Sequence, residues 1–151
     1  MRRLVLSLLV ASLAATTSTA ASAATAPADA IKYRQAVMQG MSAHVTAIAL
    51  INFGKVDHPE YLKSHANALA ELAAQTKVLF PAWTDTGKTE ALPLIWQEQE
   101  KFNKLVSDVE AAAAKLRDAV AANDKPGTSA AFKMLGDTCK SCHDRYRKKD
   151  D

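Results

Sequence analysis

Apolar residues in this chain recur at steps of three and four. Nowhere do they alternate over the Val-, Ile- or Thr-rich runs that strands require. Ala is abundant, Gly is sparse (5 in 151 residues), and no hairpin signal separates two apolar runs. The pattern predicts an all-α chain in four stretches. The first runs from about Asp29, a candidate N-cap, to Asn52, with Ile31, Met38, Met41, Val45 and Ile48 on one face and Gly54 as terminator. The second opens at Asp57-His58-Pro59-Glu60 and lines a face with Leu62, His65 or Ala66, Leu69, Leu72 and Thr76, stopping before Pro81. The third, from Pro93 to about Asn123, carries Ile95, Phe102, Leu105, Val109, Leu116 and Val120. Asn123 to Gly127 reads as a turn, so the fourth starts at Thr128 or Ser129. It sets Phe132, Leu135, Cys139, Cys142 and Tyr146 on one side, at steps of 3, 4, 3 and 4. The connection from Pro81 to Leu92 is long for a compact bundle and is expected to be packed or functional. Three short connections and this longer one predict an antiparallel, up-down-up-down four-helix bundle. Bundles of that kind place cofactors between facing helices.

The first residues follow a different logic. Met1-Arg2-Arg3, an apolar run from Leu4 to Ala15 and the small residues Ala21-Ser22-Ala23 have the three parts of a secretory signal peptide. The apolar run is far shorter than the roughly 20 residues of a membrane span. The expected organisation is a signal peptide over 1–23, cleaved after Ala23, and one domain over 24–151, with no membrane span in the mature chain. The protein is expected to be exported, and periplasmic in a bacterium with an outer membrane. Loss of Arg2 and Arg3 takes two of the 19 Lys and Arg residues, against 16 Asp and Glu, so the mature chain is nearly neutral. No basic stripe with interleaved aromatics supports a nucleic-acid partner.

The two cysteines, Cys139 and Cys142, stand three apart and are followed by His143. A disulfide between them would close a tiny loop and constrain little of the unfolded chain. Two thiols at this spacing lie on the same side of a helix, where each can add to one vinyl group of the same porphyrin edge. The adjacent His143 then presents an imidazole to the iron. Cys-x-x-Cys alone is also found in zinc sites and redox dithiols. A structural zinc would want four ligands, and His44, His58 and His65 are scattered. A redox dithiol would sit in a βαβ context, which is absent. The motif therefore points to one covalently attached haem c with its iron. For the opposite axial position the candidates are Met38, Met41, His44, His65 or no residue.

Several segments resemble the cytochrome c′ family, the class II c-type cytochromes. The attachment motif lies near the C-terminus, and Cys139 through Lys149 is similar to the family's final helix. Ile31-Lys32-Tyr33-Arg34-Gln35 resembles its first helix and Pro93-Leu94-Ile95-Trp96 the start of its third. The resemblance implies thioethers at Cys139 and Cys142 and a proximal ligand at His143. It implies a basic residue beside the proximal imidazole at Arg147, and residues near the haem edge and propionates at Arg34 and Gln35. A weaker match places Glu90 nearby, although a solvated loop position suits that residue better. Met38 falls at the family's distal position, as in its low-spin, methionine-ligated branch.

Two functions follow from the resemblance. With His143 and Met38 on both axes, the protein is an electron carrier and no enzyme, with other exported redox proteins as donor and acceptor and a homodimer as an option. With Met38 off the iron, a dry distal pocket lined by Met38 and Met41 would bind small gases such as nitric oxide.

Overall fold

The computed structural model describes residues 24–149. The signal peptide expected over 1–23 lies outside the described residues. Among the described residues there are five α-helices: α1 (Pro27–Asn52), α2 (Leu62–Gln75), the short α3 (Leu94–Gln97), α4 (Gln99–Ala121) and α5 (Lys125–Tyr146). The long helices α1, α2, α4 and α5 form the four-helix bundle, and the only extended pairing among the described residues is an isolated bridge between Ala91 and Arg147.

Paired residues fix the directions. Early α1 meets late α2 through a hydrogen bond from Tyr33 Oη to Gln75 Oε1 (2.6 Å). Late α1 meets early α5 through Asn52 and Ser129 and through the edge-to-face rings of Phe53 and Phe132. Early α4 meets late α5 through Phe102 and Tyr146. Each of these pairs is therefore antiparallel. The stripes are largely where the helical period puts them: Ile31, Met41, Ile48, Leu69, Leu116, Val120 and Leu135 are buried, and Met38, Val45, Leu62 and Leu72 are half-buried around them. Val37, Ala73 and Val106, absent from the expected stripes, are also buried.

The helix ends differ from expectation in four places. Helix α1 starts at Pro27 rather than at an Asp29 cap; its N-cap Ala26 has no side-chain bond and Asp29 sits in the first turn. The opening of the second stretch is a 3₁₀ turn over Pro59–Tyr61, with the α-helix proper beginning at Leu62. The third stretch is broken at Glu98 (φ −119°, ψ 45°) into α3 and α4. The fourth begins at Lys125: Asp124 is its N-cap, Gly127 N–H donates to Asp124 Oδ1 (2.9 Å), and Pro126 occupies the first turn. Pro is tolerated there because its missing N–H would have had no helical partner. Helices α1 and α4 end in the same motif. Lys55 N–H reaches Leu50 O and Asp124 N–H reaches Ala119 O, across left-handed Gly54 (φ 64°) and Asn123 (φ 56°).

Candidate functional site

Helices α1 and α5 touch at the Asn52–Ser129 end and part towards the other, where a crevice of about 540 Å³ opens between them. Helix α1 lines it with Arg34, Gln35, Met38, Gln39 and Ser42, one face at helical spacing. Helix α5 lines it with Cys142, His143, Tyr146 and Arg147. The segment after α2 adds Thr76 and Phe80, the following loop adds Thr89, Glu90 and Ala91, and Ile95 and Phe102 close the base.

The two thiols lie one turn apart on α5, both free and half-buried. Cys139 packs against the aliphatic core of the bundle and Cys142 against the aromatic cluster that walls the crevice. Burial pushes both thiols up, and for Cys142, with Cys139 adding to it, to about 11. Reactive dithiols need the opposite shift, since the thiolate is the nucleophile. Among the described residues no group of three or more His, Cys, Asp or Glu side chains is placed to hold a metal ion, so a four-ligand zinc site is not built here. His143 lines the crevice with one flank open to solvent. Desolvation against the crevice wall lowers its pKa, the Arg147 charge lowers it further, and Asp144 works against both. A neutral imidazole is the form that ligates metals.

Arg34 has a different environment from the solvated one a charged helix residue usually finds. It is only 3% exposed. Its guanidinium donates to Thr84 Oγ1 (3.0 Å) and Thr89 Oγ1 (2.7 Å), with longer contacts to the Leu79 and Thr84 carbonyls. It also lies over the Phe80 ring, 4.8 Å from the centroid. Gln35 Nε2 donates to Lys88 O (3.0 Å). Both residues thus line the crevice and moor the 81–92 loop to α1. The loop's other end is moored to α5: Leu92 N–H reaches Tyr146 O, Lys148 N–H reaches Glu90 O, and Arg147 Nε donates to Glu90 Oε2 (2.8 Å). Glu90 is exposed, as a loop position suggested, yet it also lines the crevice and pairs with Arg147.

Residues 29–147 match the family model described as cytochrome C′. The cytochrome c′ of Rhodospirillum rubrum is 33% identical over 141 residues, covering 93% of this chain and 96% of that one. The chain belongs to the cytochrome c′ family. The solved cytochrome c prime of Shewanella frigidimarina superposes with a TM-score of 0.78 at 33% identity, covering 82% of this chain and 98% of its own. A leucine-to-alanine variant of the Alcaligenes xylosoxidans protein, solved as a nitric oxide complex, superposes at 0.76 and 32% identity, covering 82% and 97%. The family's cofactor is a covalently attached haem c with its iron, and the crevice suits it. It offers the Cys142 thiol, with Cys139 one turn before it on the same helix, the His143 imidazole, apolar and aromatic walls, and a polar rim. Thr76, whose buried Oγ1 has no hydrogen-bond partner, lines the same crevice.

Of the residues expected at the site, Arg34, Gln35, Met38, Cys142, His143 and Arg147 line one crevice, while Cys139, one turn before His143, packs against the bundle core and is not among the lining residues. Met41 is a correction to the dry-pocket picture: it is buried in the bundle core and is not among the residues that line the crevice. The distal wall is also less dry than expected, because Gln39 and Ser42 line it. Both follow Gln35 and Met38 at helical spacing, which was signal enough to find them. Phe80 and Phe102 were missed as lining residues, since no periodicity links the segment after α2 to the start of α4.

Proposed function

We propose that this protein is an exported carrier of single electrons, with haem c held by Cys139 and Cys142 through thioethers, His143 as proximal ligand and Met38 as distal ligand. The observation that carries the reading is that Met38 on α1 and His143 on α5 line the same crevice from facing helices. The haem supplies the redox chemistry, and His/Met ligation favours its ferrous state and raises its potential. The chain's own residues bind it, hold its two faces and screen it with Phe80, Phe102 and Ile95. Gln35, Arg147 and Glu90 close the rim by joining α1 and α5 to the loop. His143 and Met38 together would hold the haem iron without leaving a substrate site, so the chain would act as an electron carrier and not as an enzyme. Its partners are other exported redox proteins met through small, transient contacts, in the periplasm of a bacterium with an outer membrane. Among the described residues no helix is long and apolar enough to cross a membrane.

A second reading has its own support. Variants of the Alcaligenes xylosoxidans relative have been solved with nitric oxide bound. If Met38 stays off the iron, the crevice leaves a distal face for nitric oxide or carbon monoxide. Optical spectra of the ferric and ferrous holoprotein, with and without carbon monoxide, separate the two. A low-spin ferrous spectrum that the gas barely alters is expected, with Met38→Ala turning it high-spin, lowering the potential and admitting the gas. A wild-type spectrum that shifts at once with carbon monoxide would overturn Met38 ligation and make gas binding the function.

A further inference from the structure

Away from the crevice, His44 on α1 faces His65 on α2. Their Nδ1 atoms stand 2.9 Å apart, with ring centroids at 5.2 Å and planes tilted by 55°. The helices run close here: at Gly40, one turn before His44, an added methyl would stand 3.1 Å from Leu72 Cδ1. Both imidazoles are half-buried, so their positions are fixed by packing while one side stays open to solvent. A ring nitrogen pair at this distance is a hydrogen bond only while one nitrogen donates and the other accepts. With both rings carrying their proton on Nε2 instead, the two Nδ1 atoms face each other as lone-pair donors, the kind a first-row metal ion prefers.

Geometry narrows the choice of ion. With metal–nitrogen distances of about 2.0–2.1 Å, two cis nitrogens of a square-planar centre lie about 2.9 Å apart, and about 3.4 Å apart in a tetrahedral one. The observed spacing matches the square-planar case. Small adjustments of χ2, a soft torsion in His, would aim both lone pairs at one ion. We propose that His44 and His65 form a chelate for divalent copper bridging α1 and α2, with water in the remaining positions. Among the described residues no third His, Cys, Asp or Glu completes the set, so this is a two-imidazole site. Bound copper would brace the helix that carries Met38 against its neighbour.

The test is calorimetric titration of the ferric holoprotein with copper(II), the ferric state preventing electron transfer from haem to copper. One saturable equivalent per chain is expected. His44→Gln and His65→Gln should each weaken it at least about tenfold, the advantage of two donors held at one point. An unchanged Soret band would confirm that each variant keeps its haem environment. His58, exposed and 3.4 Å from Glu60, is the competing site, and His58→Gln should leave the affinity unchanged. Copper should also raise the thermal midpoint of the wild type and of neither pair variant, because it binds only the folded chain. Absence of a saturable equivalent, an affinity that survives loss of His44 or His65, or one that falls with His58→Gln would each overturn the proposal.

Discussion

In the body of the bundle the fully buried residues are aliphatic: Ile48, Leu69, Leu116 and Leu135, with small Ala66, Ala73, Ala112 and Ala113 between them. At the crevice end the packing is aromatic. Phe80 meets Phe102 edge-on at 4.8 Å, Phe102 meets Tyr146 at 5.2 Å, and Trp96 flanks Phe80. Trp96 Nε1 is anchored on the Phe80 and Pro81 carbonyls. Aliphatic side chains of mixed size interlock and leave no space. Rings held edge to face by their quadrupoles keep flat faces and defined angles, and can stand beside a gap without collapsing into it. One region thus excludes everything, while the other is framed to hold a planar guest.

Truncation should separate the two regions most sharply. Leu116→Ala removes a side chain with no exposed surface and should cost about 2–5 kcal/mol, read from denaturant unfolding by circular dichroism. The haem spectrum should not move. Phe102→Ala should cost a similar amount, about 3–5 kcal/mol, and should also change the Soret band, because it opens the crevice base. Equal spectral effects from the two variants would break the division between filled core and framed site.

Arg34 sharpens the comparison from the polar side. It is the one buried charge on the α1 stripe, and its hydrogen bonds hold the 81–92 loop rather than fill space. Arg34→Met keeps most of the stem but leaves Thr89 and the Leu79 carbonyl without this partner. The expected loss is about 1–3 kcal/mol. Amide hydrogen exchange should accelerate over 82–91 and stay slow around Leu116. Uniform acceleration across the bundle would mean that Arg34 supports the core instead.

These regions were unequally legible in the sequence. The aliphatic stripes of α1, α4 and α5 follow from the 3.6-residue period, and the Cys139-to-His143 spacing carries its own chemistry. The mooring of the loop did not follow, because the resemblance placed Arg34 near the haem edge and its loop partners lie 45 to 55 residues away. Pro126 and Gly127 read as breakers although the helix begins through them, since their role depends on Asp124 capping back onto Gly127. The break at Glu98 has no Pro or Gly to announce it. The His44–His65 pair needs the register of α1 against α2, which no local pattern contains.

The break at Glu98 leads to the smallest expected effect. Leaving the helix there turns its carboxylate onto the end of α5, where Arg145 donates through Nε and Nη2 (2.6–2.8 Å) and Tyr146 Oη adds a longer bond (3.2 Å). The Arg145 hydrogen bonds lower the Glu98 pKa below the ordinary carboxylate value; desolvation opposes this, and Lys101 and Tyr146 add to it. A carboxylate depressed in the folded state stabilises the fold above its unfolded pKa, about 4.3 for Glu, and the contribution fades as pH falls through the lower, folded value. The wild type should therefore lose stability on acidification relative to Glu98→Gln, with the two denaturation curves converging as the pH drops below that window. The gap at neutral pH should be small, because surface ion pairs are screened, and should shrink further in high salt. A gap that stays constant from neutral to acid pH would mean that Glu98 acts through its shape at the break and not through its charge.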